Sequence, residues 1–306
     1  MKQAGFVTLA GRPNAGKSTL LNRVLDTKLA IVTPKAQTTR QRLLGIYNSS
    51  PGQIVFVDTP GIHRAREGGL NAYMVNEARE AMADTSAIWY LVDPVSGLEH
   101  EVTVLDLLSK THAPVFILIN KTDLKTPRTT EGSLVKLETE LAQAAAQRGI
   151  QVNSIRRISA EKGTGVPELL KDTWPLIPQH PDYFPQDPTE EQLSDRPARF
   201  FVAEYVREQL FMQLGEELPY ACAVEIESFD EKAKPIRIEA TIHVERDSQK
   251  GMVIGKGGQK IKAIGTGARA EIENFLGEKV FLGLKVKVLK DWSKDKEALK
   301  RMGYAV

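Results

Sequence analysis

The run Gly11-Arg12-Pro13-Asn14-Ala15-Gly16-Lys17-Ser18 constrains this chain more than any other feature. It fits G-x-x-x-x-G-K-[ST], in which main-chain N–H groups close around a phosphate, the lysine neutralises it and the hydroxyl reaches Mg²⁺. The glycines are required because a Cβ would keep the backbone from wrapping the anion. Such a string arises by accident in about one chain of this length in a hundred. Its setting also fits. Residues 5–10 (Gly-Phe-Val-Thr-Leu-Ala) read as a short buried strand, and Leu20, Leu21, Val24 and Leu25 recur at helical spacing after Lys17. Strand, glycine turn and helix is the order that the motif demands.

With 306 residues the chain is long enough for two domains, each with its own core. Hydrophobic content of 42% and charged content of 26% are ordinary for a globular protein. The single cysteine, Cys222, cannot form an internal disulfide, which favours a reducing compartment. It reads as a mid-strand core residue. No apolar run approaches the roughly 18 residues of a membrane span, and Met1-Lys2-Gln3 leads directly into the first strand without a signal-peptide pattern. A cytoplasmic protein is expected.

As far as Trp174, strand-like runs (43–48, 53–57, 87–92, 114–119, 152–158) alternate with helical ones (70–82, 99–109, 131–146, 166–173). That alternation predicts an α/β domain, a mostly parallel sheet with helices on both faces, over residues 1–175. Ligands on such sheets sit at the carboxyl ends of the strands, and the remaining motifs fall there. Asp58-Thr59-Pro60-Gly61 follows a strand; its aspartate can hold Mg²⁺ through water and the Gly61 N–H can meet a γ-phosphate. Alone, D-x-x-G is nearly uninformative, since it occurs by chance about once in a chain of this size. Asn120-Lys121-Thr122-Asp123 is sharper. A carboxylate at a strand exit can accept the N1–H and exocyclic amine of guanine, whereas adenine offers neither donor there, so discrimination is strong. Ser159-Ala160-Glu161 places the Ala160 N–H where guanine O6 could be bonded, and by itself is a weak signal. The polar stretch 33–41 lacks an apolar period and reads as a mobile loop whose threonine hydroxyl completes a Mg²⁺ shell when a γ-phosphate is present.

Together these five elements, in order, resemble the TRAFAC-class small GTPase domain. The resemblance implies binding of GTP and GDP with Mg²⁺, and slow hydrolysis. It places Asn14, Ala15, Gly16, Lys17, Ser18 and Thr19 around the phosphates, with Lys17, Thr39 and Gly61 as catalytic contacts. Ser18 and Thr39 become Mg²⁺ ligands (Thr38 the lesser candidate), and Asp58 acts through water. Asn120, Lys121 and Asp123, with Ser159 and Ala160, surround the base. One position departs from the pattern. Many GTPases carry a water-orienting glutamine directly after the D-x-x-G glycine, and this chain has Ile62. Hydrolysis must then be slow or use another group. In relatives with an asparagine at the place of Asn14, that side chain looks to be a monovalent-cation ligand, so the resemblance implies stimulation by K⁺. His63 reads as a loop residue without a catalytic part.

Prolines at 175, 178, 181, 185, 188 and 197 interrupt regular structure, so residues 176–197 read as a semi-extended linker. A second domain, 198–306, follows. Residues 198–214 look helical and 221–228 strand-like. Over 235–245 Ile236, Ile238, Ala240, Ile242 and Val244 alternate with Arg237, Glu239, Thr241, His243 and Glu245, which predicts one apolar and one polar face. A short helix, Gly255-Lys256-Gly257-Gly258, a longer helix, a final strand (280–288) and a terminal helix complete it. The order α-β-β-α-α-β with G-x-x-G between the middle helices resembles the type II KH domain. In such a turn a nucleic-acid backbone can approach closely beside a helix N-terminus. Charge agrees: from Lys250 to Val306 there are 13 basic and 6 acidic residues, against 5 and 11 from Phe200 to Gln249. RNA contacts are expected at Ile254, Gly255, Lys256, Gly257, Gly258, Lys260 and Lys262.

A GTPase domain followed by a type II KH domain resembles the Era family over nearly the whole chain. That resemblance implies a factor for assembly of the small (30S) ribosomal subunit that binds near the 3′ end of 16S rRNA. Peripheral attachment to the inner membrane is implied with it. A monomer is expected, since nothing suggests an extensive self-association surface. Two other readings compete: a GTP-driven RNA-modifying factor, and a membrane-recruited regulator whose Lys290, Lys294, Lys296, Lys300 and Arg301 meet anionic lipid.

Overall fold

A computed structural model describes residues 2–62, 69–186 and 192–304; His63 and Pro188 lie outside them. The chain divides into two compact units whose main boundary falls between Asp195 and Arg196, with two short pieces, Ile31–Thr38 and a stretch ending at Tyr73 that takes in the start of the second helix, counted in the second.

In the first unit, strands β1 (Gln3–Gly11), β2 (Leu43–Ser49), β3 (Gly52–Asp58), β4 (Ala87–Val92), β5 (Val115–Ile119) and β6 (Val152–Arg157) form one sheet in the order β2-β3-β1-β4-β5-β6. All neighbours are parallel except β2 and β3. β3, β4 and β5 are buried along their whole lengths, as strands covered on both faces must be. Helices α1 (Lys17–Leu25), α2 (Gly69–Glu80), α3 (Val102–Leu108), α4 (Glu131–Ala146) and α5 (Val166–Thr173) alternate with them. Local chemistry starts these helices. Thr130 Oγ1 accepts the Ser133 N–H at the head of α4, and Gly165, in the left-handed region, precedes α5.

The stretch 99–109 is not one helix. A short 3-10 turn at Leu98–His100 precedes α3, and Glu101 between them turns its carboxylate inward to the Tyr90 hydroxyl at 2.7 Å. The proline-rich stretch is extended and anchored. Gln3 Nε2 donates to the Trp174 and Ile177 carbonyls (3.1 and 2.8 Å), and the Ala4 N–H to that of Pro178 (3.1 Å). Gln53 exchanges two hydrogen bonds with the Phe184 backbone, and Phe6 packs on Tyr183 with centroids 4.6 Å apart. Further on, the Ile46 N–H donates to the Leu193 carbonyl, which covers the open edge of β2.

The second unit runs α6 (Ala198–Gln213), β7 (Ala223–Asp230), β8 (Ile236–Val244), α7 (Asp247–Ile254), α8 (Gln259–Leu276), β9 (Val280–Val288) and α9 (Lys296–Arg301). β8 is central, antiparallel to β7 and parallel to β9. Helix α6 packs on α8, with Phe201, Val202, Tyr205 and Val206 of the one and Ile264, Ala268 and Ile272 of the other buried, and with Phe201 and Tyr205 against Phe275. Cys222 is fully buried but lies just before β7 rather than within a strand. The polar face of β8 is less open than alternation predicts. Thr241 and His243 are buried, and His243 Nε2 is 2.7 Å from Glu225 Oε2 across the sheet.

Candidate nucleotide site and nucleic-acid interface

The carboxyl ends of β1, β3, β5 and β6 bring four sequence motifs together. Gly16, at φ 99°, caps α1, and a Cβ there would lie 2.2 Å from Asn120 Nδ2. Only glycine fits so close an approach. Asn14 also has positive φ (62°) and is exposed. Lys17 is buried, and its Nζ donates to the Gly11 and Arg12 carbonyls at 3.1 and 3.0 Å. Burial lowers its pKa to about 8, against the attraction of Asp58 and Glu101. Arg12 in turn faces the buried Glu101 carboxylate at 3.9 Å.

Beside it three oxygen groups converge. Ser18 Oγ donates to Asp58 Oδ2 at 2.6 Å and stands 3.0 Å from Thr39 Oγ1. Asp58 is fully buried; its Oδ1 has no hydrogen-bond partner, and desolvation raises its pKa to about 6 despite Lys17 and Ser18. An orphaned carboxylate oxygen beside two hydroxyls is a hard, all-oxygen donor set that suits Mg²⁺. Thr38 is turned elsewhere, its hydroxyl 2.6 Å from Thr33 Oγ1 and bonded to the Lys35 carbonyl. The geometry therefore brings Thr39, not Thr38, to Ser18. Residues 33–41 form turns without a regular element.

The base-side motifs interlock. Asn120 Nδ2 donates to the Ala15 carbonyl (2.8 Å) and its Oδ1 accepts the Ala160 N–H (2.9 Å). The Ala160 N–H, expected on guanine O6, is thus engaged within the protein. Ser159 Oγ donates to Asp123 Oδ1 (2.6 Å) and fixes that carboxylate. Lys121, at φ 59°, pairs with Asp93 at 2.7 Å. Gly61 lies against the phosphate loop, where a Cβ would be 2.5 Å from Pro13 Cα. Ile62 is 2% exposed and its N–H donates to the Gly11 carbonyl, so its side chain belongs to the core. Thr19 continues α1 behind Ser18. Glu101, Asp93 and Arg23 carry no signal in the sequence, because each acts through contacts distant along the chain.

In the second unit, Gly255 (φ 72°), Gly257 (φ 57°) and Gly258 (φ 76°) carry the chain from α7 into α8. A Cβ at Gly257 or Gly258 would meet nothing within 4 Å, so this backbone is open to an approaching strand. Lys256, Lys260 and Lys262 are exposed around it, at the positive end of an 18-residue helix, while Ile254 is half-buried.

A phosphate loop, an Asp-x-x-Gly turn and an Asn-Lys-x-Asp base clamp on a mostly parallel sheet define a P-loop GTPase, here joined to a KH domain. Residues 6–121 match the family model described as 50S ribosome-binding GTPase, and 217–293 match that of the KH domain. The chain is 46% identical to GTPase Era of Geobacter metallireducens over 305 residues, 99% of this chain and 98% of that one. It is 39% identical to GTPase Era of Staphylococcus haemolyticus, over 99% and 97%. Among solved structures, it is similar to a variant of Aquifex aeolicus Era bound to GDP·AlF4⁻, with TM-score 0.90 and 36% identity over 99% of this chain and 100% of that one. Era bound to MgGDPNP and nucleotides 1506–1542 of 16S ribosomal RNA matches equally well, with TM-score 0.90 and 35% identity over the full length of both. The chain belongs to the Era family of GTPases.

Proposed function

We propose that this GTPase is an RNA-binding switch in 30S subunit assembly and 16S rRNA maturation, gripping RNA near the 3′ end of the 16S molecule through the Gly255–Gly258 turn. The observation that carries this reading is the open, lysine-flanked glycine turn in a chain that superposes end to end on Era holding nucleotides 1506–1542. Residues 1–175 then form the nucleotide domain and 198–306 the RNA domain. The RNA-modifying reading finds less support, since Cys222, the only thiol, is buried.

For hydrolysis, the chain supplies positioning and charge rather than a general base. Backbone N–H groups of the Gly11–Ser18 loop and Lys17 would hold the β- and γ-phosphates, and the Gly61 N–H would meet the γ-phosphate. Ser18, Thr39 and, through water, Asp58 would hold Mg²⁺, which would supply charge neutralisation at the phosphates. Asn14 would hold a K⁺ ion, which would add positive charge beside the phosphates. Asp123, set by Ser159, reads guanine N1–H and its amine, and Asn120 binds this clamp to the phosphate loop. Loss of the γ-phosphate releases Thr39, and RNA affinity changes only as far as the two nucleotide states differ in their affinity for RNA.

Among the described residues no helix is long and apolar enough to cross a membrane. A monomer in the cytoplasm, with peripheral attachment at the inner membrane, completes the reading. Crosslinking of the GTP-loaded protein to cellular RNA, mapped to nucleotides, tests it. Crosslinks clustered at the 3′ end of 16S rRNA are expected; crosslinks scattered elsewhere, or equal in the GDP form, would remove the rRNA site or the switch respectively.

A further inference from the structure

Arg23 lies in the last turn of α1 and is exposed, yet its guanidinium is committed. Nε donates to the Ala160 carbonyl at 3.4 Å and an Nη to the Glu161 carbonyl. Its stem runs over Gly163, where a Cβ would sit 3.3 Å from Arg23 Cδ and where φ is +78°. One side chain thus grips two consecutive peptide planes. Because a trans peptide holds its N–H opposite its C=O, pinning the Ala160 carbonyl toward Arg23 turns the Glu161 N–H the other way. Pinning the Glu161 carbonyl likewise sets the Lys162 N–H, which donates to Ser159 Oγ at 3.0 Å. Ser159 Oγ then donates to Asp123 Oδ1 at 2.6 Å. A single cation therefore orients the Glu161 and Lys162 N–H groups and, through Lys162, the hydroxyl that fixes the base-reading carboxylate. Its charge also polarises those amides and strengthens them as donors.

We propose that Arg23 is a positioning residue for base specificity: by orienting the Glu161 N–H, next to the Ala160 N–H that Asn120 already takes, it sets how strongly the protein prefers guanine O6. The proposal rests on the assignment of Asp123 and this turn to the base. α1 begins with Lys17 and Ser18 at the phosphates, and Arg23 stands six residues on, about 9 Å along the axis. The helix is thus a rigid strut between the phosphate end and the base end of one ligand. Truncating an exposed side chain leaves no core cavity, so the variant can be studied folded.

The experiment measures equilibrium affinity of the full chain for GTP, ITP and 6-thioguanosine triphosphate. The last keeps N1–H and the 2-amine but replaces O6 with a poor acceptor. Arg23→Ala is expected to weaken GTP by about 5- to 10-fold, the scale of a lost charge-assisted contact near the surface. The preference for GTP over the 6-thio analogue shrinks toward one, while the preference for GTP over ITP, read by Asp123, falls less. Arg23→Lys, with one point donor instead of a fork, lies between. Turnover at saturating GTP stays within about twofold, as expected for a group that acts on ground-state and transition-state binding alike. A ratio of GTP to 6-thio-GTP unchanged in Arg23→Ala overturns the proposal even if overall affinity falls, because a merely structural contact weakens all three nucleotides equally. Asp123→Asn is the control for the base assignment and should favour XTP over GTP. If it still prefers GTP, that assignment fails, and the role of Arg23 with it.

Discussion

The Asn120 side chain bonds the Ala15 carbonyl at 2.8 Å, so the base-reading strand exit and the phosphate loop are one piece. Its other end holds the Ala160 N–H. Replacing Asn120 with alanine would free two buried backbone groups at once. Each uncompensated group costs on the order of 1–3 kcal/mol. GDP affinity should therefore fall by about 30-fold or more, as read by titration of a fluorescent nucleotide. A loss below about threefold would mean that the two loops hold their places independently.

Asp58 gives Mg²⁺ binding a pH limit. Burial raises its pKa to about 6, and the ion needs the ionised form. Mg²⁺-dependent nucleotide affinity should be flat above pH 7 and fall about tenfold per unit well below 6. Titrating Mg²⁺ from pH 5 to 8 checks this, and Asp58→Asn should abolish the dependence along with most of the affinity. The sign for the nucleotide-free protein is opposite. A raised carboxylate pKa makes the folded state the better proton binder, so this residue's destabilising contribution fades as pH falls from about 6 toward 4.

Lys17 gives the complementary effect. Desolvation puts its pKa at about 8, and a phosphate beside it must pull that value up. GTP binding at pH 8 should take up about half a proton, and less at pH 7. Calorimetry in buffers of different ionisation enthalpy measures the uptake; equal heats at pH 8 would place Lys17 fully charged before the ligand arrives.

Ile62 predicts that a glutamine transplanted there fails. The position is 2% exposed and its backbone is tied to Gly11. Ile62→Gln should cost about 1–3 kcal/mol of stability through a buried amide, with no rise in turnover beyond about threefold. Hydrolysis should be faster in K⁺ than in Na⁺. Equal rates would leave Asn14 without a cation to hold.

At the glycine turn, Gly258→Asp should keep the fold and lose RNA. Nothing lies within 4 Å of the new Cβ, and aspartate tolerates φ of 76° at about 1 kcal/mol. A carboxylate there would repel the phosphate backbone, so RNA affinity should fall at least tenfold while GTP turnover is unchanged. Gel-shift titration against a 16S 3′-end fragment measures it, and retained binding would move the RNA contact elsewhere.

The parts of this molecule that were readable in the chain are those governed by neighbours in sequence. Helix α4 begins where Thr130 accepts the Ser133 N–H and α5 begins after the left-handed Gly165, and the sequence spacing predicts both with the bounds observed. The phosphate loop and the Asn120–Asp123 run declare themselves because their chemistry depends on spacing. What was not readable depends on distant partners. His243 looked like an outward polar residue because alternation cannot see Glu225 across the sheet. The break at Glu101 follows from Tyr90, and the grip of Arg23 on the Ala160 turn spans 137 residues. The resemblance already favours Thr39 over Thr38, and the Ser18 hydroxyl lies beside Thr39.

The proline-rich strip also changes where this molecule can be cut. Gln3, Ala4, Phe6 and Gln53 each lean on residues between Trp174 and Phe184, and β2 is sealed by Leu193 and Ser194. A recombinant catalytic fragment ending at 175 would bare a sheet edge and strip Phe6 of its cover, inviting strands from other copies. One ending at Asp195 keeps both shields.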